Sequence, residues 1–164
     1  MMASVRKLAF ELEGSDGGPL RGDVRTGAAR FGGPAVVICH GFKGFKDWGF
    51  FPHLARRLAR AGLTAVSFNF SGSGIGADGT SFSEPDRFGH ATFSNDLADL
   101  VRVVTALMSG SLTEELAPPQ ALGLFGHSRG GAAAVLCAAD RHDCRGIVTW
   151  AAIADTMRWD ADTI

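Results

Sequence analysis

The sequence predicts an α/β fold: a mostly parallel sheet with helices on both faces. Two observations carry this. Short apolar runs rich in β-branched residues alternate with segments whose apolar residues recur at helical spacing. The glycines, 22 of 164 residues against a usual ~7%, cluster just after the apolar runs, where a sheet presents its loops. The chain reads as a single domain over residues 1–164, incomplete at its C-terminus.

Val5 to Leu12 alternates apolar and polar and predicts a half-buried strand. The turn residues 14–19 then return the chain through a second strand, Leu20 to Thr26. Ala35 to Cys39 is a continuous apolar run, as expected of a strand buried on both faces. Phe51, Leu54, Ala55, Leu58 and Ala59 mark a helix over 51–61, with Gly62 closing it. Leu63 to Phe70 is the next strand. The glycine-rich stretch 71–92, which includes Pro85, carries no helix pattern.

Phe93, Leu97, Leu100, Val101, Val104, Leu107 and Met108 then define an amphipathic helix. Asp96 and Asp99 lie in its early turns, where the helix dipole favours anions. Ala121 to Phe125 is a strand, Ala132 to Ala139 a small-residue helix, and Gly146 to Ala151 one more buried strand. Strand–helix–strand order of this kind implies right-handed crossovers.

Composition excludes several classes. Sixteen basic and seventeen acidic residues form no stripe or cluster, so neither nucleic acid nor an anionic membrane is an expected partner. Cys39, Cys137 and Cys144 are odd in number and irregular in spacing, which argues for a reducing compartment. With no apolar leader segment visible, the expected location is cytoplasmic. Histidine and cysteine spacing suggests no metal site, and the predicted chemistry requires no cofactor.

The chemistry centres on Gly126-His127-Ser128-Arg129-Gly130-Gly131, a G-x-S-x-G sequence between a strand pattern and a helix pattern. A strand that turns sharply into a helix leaves its middle residue strained and projecting. Close backbone approach restricts the flanking positions to glycine. Ser128 is the predicted nucleophile.

His40-Gly41-Phe42 follows the run ending at Cys39. With the serine turn, it makes the sequence resemble the α/β-hydrolase superfamily from about Leu20 to Ala154. The dienelactone-hydrolase-like and serine-aminopeptidase-like branches are suggested by Phe42-Lys43-Gly44, by Phe51-Pro52-His53 and by the loop Phe68 to Gly74. The resemblance implies an α/β-hydrolase fold, with the backbone N–H groups of Phe42 and Arg129 receiving the oxyanion of a tetrahedral intermediate. Losing one such donor costs ~2.7–4 kcal/mol of transition-state stabilisation.

In that superfamily the acid and then the histidine follow the serine. Here the only later histidine is His142, on the order of 20 Å from Ser128 at the far end of the helix. His127 is expected to be a pocket wall and His40 a brace of the oxyanion loop, while His53 and His90 have no motif around them. Asp155 is the candidate acid. The expectation is therefore a hydrolase truncated before its last strands and its histidine, nearly inactive alone. Gly146 to Ala151 would then form an exposed edge open to self-association.

An ester, lactone, thioester or amide would be the small-molecule acyl substrate. An acyltransferase or perhydrolase would use the same serine. The segment from Asp155 through Met157 and Trp159 is expected to begin a lid. Two rivals remain: a non-catalytic binding protein of the same fold, and a nucleotide-binding domain using the G-x-G-x-x-A loop Gly72 to Ala77.

Overall fold

A computed structural model of the chain describes residues 4–27 and 33–156. Strands β1 (Arg6–Glu13) and β2 (Pro19–Thr26) form the predicted hairpin, paired antiparallel from Arg6↔Thr26 to Glu13↔Pro19. The apolar run becomes β3 (Ala35–Cys39). Helix α1 (Phe51–Arg60) leads to β4 (Thr64–Phe68), with Gly62 left-handed just beyond its end. Helix α2 (Pro85–Gly89), α3 (Phe93–Ser109), β5 (Leu122–His127), α4 (Arg129–Ala139) and β6 (Cys144–Trp150) follow.

The sheet order is β1-β2-β4-β3-β5-β6. β4, β3, β5 and β6 run parallel, while β2 joins β4 antiparallel. Alternation along the strands sorts the two faces. Val37, Cys39, Val66, Phe68, Leu122 and Leu124 pack with α3 and α4 through Leu100, Val103, Val104, Leu107, Ala133 and Ala134. Ile38 and Ala65 pack on the other face with Phe51 and Ala55 of α1. β3 lies between β4 and β5, so the connections from β3 and β5 leave in different directions. A crevice opens at their carboxyl ends, as it does at such switch points in open α/β sheets.

Three expectations need correction. Pro85 begins a short helix, because its missing N–H is not needed at a first helical position. α4 starts at Arg129, three residues before its apolar pattern, since its first turn is built of glycine. β6 is not buried. It pairs with β5 alone among the described strands, and Ile147, Val148 and Trp150 are exposed. No helix of the described residues is long and apolar enough to cross a membrane. Met157 and Trp159, the expected lid residues, lie outside the described residues.

One buried charge cluster ties the loop after β3 to the sheet. Lys46 extends its ammonium between Asp23 of β2 and Asp47, and Lys46 and Asp23 are both buried. The Lys46 N–H donates to Asn69 Oδ1 at 2.7 Å. Removing one partner of a buried pair leaves the other charge stranded. Lys7 and Arg25 remain within 3.2 and 3.8 Å of Asp23, which softens that penalty. Lys46→Ala is expected to lower unfolding free energy by about 3 kcal/mol, the lower end for a broken buried pair. Urea denaturation measures it, and a loss near zero would mean the pair does not anchor the loop.

Candidate active site

β5 runs into α4 with a single residue between them, and that residue is Ser128. Its φ of 53° and ψ of −118° put a non-glycine residue in a sparsely populated region that costs about 1–3 kcal/mol. The surroundings impose this geometry. The Ser128 N–H donates to Trp150 O at 2.9 Å, and Ser128 O accepts from Gly131 N and Ile153 N at 3.0 and 3.3 Å. A methyl group on Gly126 would stand 2.4 Å from Gly130 O, and one on Gly130 would stand 2.2 Å from His40 O. Both positions therefore exclude any side chain, as their place in the motif predicts.

The loop after β3 meets this turn. A methyl on Gly41 would lie 3.1 Å from Ser128 Cβ, so the two backbones nearly touch. His40 fixes the loop from beneath. The Phe70 N–H donates to His40 Nε2 at 3.2 Å, which leaves Nδ1 to donate to Gly41 O at 2.8 Å. Desolvation lowers the His40 pKa to about 4, further aided by Arg129 and partly opposed by the Gly41 hydrogen bond. His40 is thus a neutral brace, the role expected of it.

A cavity of about 370 Å³ opens over Ser128, lined by Phe42, Phe93, Ser128, Arg129, Ile153, Asp155 and Thr156. Phe42 is exposed and stacks on Phe88, with ring centroids 5.4 Å apart. Among the described residues neither the Phe42 N–H nor the Arg129 N–H has an acceptor, and Ser128 Oγ has no hydrogen-bond partner. The structure thus gathers Ser128, Phe42, Arg129 and Asp155 at one cavity.

None of the five histidines lines this cavity. His127 packs edge-on against Phe50, Phe51 and Trp150. His142 sits in the turn past α4, whose 11 residues place it about 16 Å along the helix from Ser128. His53 and His90 are exposed. No three His, Cys, Asp or Glu side chains converge as a metal site among the described residues.

The G-x-G-x-x-A segment is spent on packing. It forms a 3-10 turn, Ser71–Ser73, and an Ile75↔Phe82 bridge. A methyl on Gly72 would stand 2.5 Å from Ala91 Cβ. The next helix, α2, begins eight residues after Ala77 and is five residues long, so no helix N-terminus stands directly after the glycines to hold a pyrophosphate.

The sequence reading missed the acidic pair of α3. Thr92 caps the helix by accepting from Asn95 N, but Asp96 and Asp99 do not face solvent near that end. Asp99 accepts from Ser15 N and Ser71 N, both at 2.7 Å, and so fixes the hairpin turn and the loop after β4. Asp96 accepts from Arg129 Nε at 2.5 Å. The signal was available: Asp96 falls three residues after Phe93 and four before Leu100, inside the apolar stripe.

The family profile described as serine aminopeptidase, S33, matches residues 33–159. The chain belongs to that family, and its architecture is the α/β-hydrolase fold. No curated protein sequence matches it. Among solved structures, it is similar to a dienelactone hydrolase from Anabaena variabilis, with 21% identity and a TM-score of 0.68 over 90% of this chain and 64% of that one. It is also similar to an α/β serine hydrolase without lid from Xanthomonas campestris, with 23% identity and a TM-score of 0.67 over 94% and 64%. A third is brefeldin A esterase, a bacterial homologue of human hormone-sensitive lipase, with 21% identity and a TM-score of 0.61 over 82% and 34%. The chain spans between about a third and two thirds of the length of these neighbours.

Burial raises the Asp96 pKa to about 6, against the lowering effect of Arg129. The two buried groups then act oppositely on stability. Between pH 6.5 and 4 the unfolded chain protonates His40 while the folded chain does not, so acidification destabilises. Between pH 6 and 3.8 the folded chain binds a proton at Asp96 that the unfolded chain does not, so acidification stabilises. Asp96→Asn removes only the second contribution. Its unfolding free energy is expected to fall more steeply than that of the wild type from pH 6 to 4, as measured by denaturant titration at a series of pH values. A parallel pair of curves would contradict the assignment.

Proposed function

We propose that Ser128 is the nucleophile of an acyl hydrolase, attacking the carbonyl of an ester, lactone, thioester or amide. The observation that carries this reading is the strained Ser128 backbone at the strand-to-helix turn, with the hydroxyl open to a cavity and without a competing partner among the described residues. The N–H groups of Phe42 and Arg129 are the donors for the oxyanion. Both are backbone groups rather than flexible side chains, so they need little reorganisation as charge develops. The α4 N-terminus adds its partial positive charge at the same place. Phe42 and Phe93 give the acyl portion an apolar wall.

A histidine outside these 164 residues takes the serine proton and returns it to the leaving group. Asp155, exposed at the rim of the cavity, is the candidate to orient that histidine. The expected consequence is a chain that acylates slowly. In a serine protease, loss of the histidine lowers kcat by ~10⁶, leaving ~10³–10⁴ over water from the oxyanion hole and binding.

The test is peptide mapping after treatment with a fluorophosphonate. The adduct is expected to accumulate slowly on Ser128, to form faster when free imidazole is added as a surrogate base, and to be absent in Ser128→Ala. Labelling spread evenly over the exposed serines, with Ser128 unexceptional, would favour the non-catalytic binding protein.

A further inference from the structure

Arg129 has two tasks in the structure. Its backbone N–H lies at the head of α4 beside Ser128, and its side chain runs to α3. The guanidinium carbon lies 5.8 Å from the centre of the Phe42 ring and 5.9 Å from that of Phe93. Cations in this range are held by the ring faces. Asp96 fixes the remaining edge at Nε, and Nη2 is buried without a partner among the described residues. One side chain therefore links the residue of each proposed oxyanion donor, Phe42 and Arg129, to a buried carboxylate on a third element.

We infer that Asp96 is a positioning residue: acting through the Arg129 guanidinium, it sets the Phe42 and Arg129 amides relative to one another. The reason is mechanical. The loop from His40 to Asp47 is anchored at His40 below and at Lys46 beyond, but Phe42 itself is exposed and Lys43 after it has a φ of 59°. Between the two anchors the Gly44 N–H donates to Gly41 O at 3.0 Å, and the Phe42 side chain is held by ring contacts. These are Phe88, the neighbouring Lys43 ammonium at 5.6 Å, and, from α4, the Arg129 cation. A guanidinium free of Asp96 would rotate among its rotamers and release Phe42 from the α4 side. Ion-paired, it is fixed in a planar fork.

The other titratable and charged groups around Asp96 are Asp99 on its own helix, Cys39 and His40 at the end of β3, Lys43 on the loop after it, which lines a cavity with Asp96, and Arg129 from α4. Burial pushes the Cys39 thiol up, and His40 titrates near 4. Between pH 5 and 8, then, a change at these amides that depends on Asp96 reports the Asp96–Arg129 pair.

The inference rests on the hydrolase reading only in calling the two amides oxyanion donors, and its test needs no turnover. Amide resonances of the 164-residue chain are followed by NMR from pH 5 to 8, together with the Asp96 carboxyl carbon. The Phe42 and Arg129 amides are expected to shift with the midpoint of Asp96. In Asp96→Asn both should lose that step. In Arg129→Met, which keeps Asp96 but removes the cation, the Phe42 amide should be flat while Asp96 still titrates. Arg129→Lys should restore part of the Phe42 step. A wild-type Phe42 amide without the step, or a step that persists in Asp96→Asn or in Arg129→Met, overturns the inference. Failure of the hydrolase reading would appear separately, as absence of a Ser128 adduct.

Discussion

The left-handed backbone of Ser128 is the constraint on which the site depends. A strand entering a helix without a loop cannot keep its middle residue in an ordinary conformation, and the strain of about 1–3 kcal/mol must be offset by its surroundings. Here it is offset on three sides. Trp150 O and Ile153 N hold the Ser128 peptide to the end of β6, while the first turn of α4 accepts no side chain at Gly130 because β3 ends against it. The hydroxyl then projects into a cavity without a partner among the described residues, and the same turn presents an N–H at Arg129 that is unpaired among them. Strain, a projecting hydroxyl and an open N–H are thus consequences of one tight junction.

Around that junction the polar groups serve as fasteners. Neutral His40 spans from Phe70 to Gly41, Lys46 is locked between Asp23 and Asp47, and Asp99 gathers the amides of Ser15 and Ser71. Each joins segments far apart in sequence at the carboxyl end of the sheet. Buried polar and charged groups of this kind add little net stability over apolar packing but are costly to break, so they specify where loops lie. A site built from loops needs such fasteners, because the sheet alone fixes only where the loops begin.

Most of the framework was legible in the sequence. The strands around Ala35 to Cys39 and Leu122 to Phe125 are apolar on both faces and bounded by glycine, a pattern with few alternatives. The 93–109 helix has a strong helical period. The serine turn was legible because its glycines are required by contact, so spacing and chemistry coincide. Less legible was whatever depends on partners distant in sequence. α2 is five residues long and has no buried face, so no period could reveal it. The composition of β6 matches a buried strand, but its exposure depends on what covers it. The place of Asp96 inside the apolar stripe marks its burial, but its partner, an arginine 33 positions later, has no local signal.

The account stands on the claim that backbone crowding at Gly130 forces the turn that projects Ser128. The most direct measurement is the denaturant stability of Gly130→Ala, whose new methyl group would meet His40 O at 2.2 Å and Cys39 O at 2.7 Å. Backbone atoms cannot step aside as a flexible side chain can. The expected loss is therefore about 3 kcal/mol, at the upper end of overpacking costs. A variant as stable as the wild type would contradict the account, for it would show that the strand-to-helix junction is not confined by its neighbours.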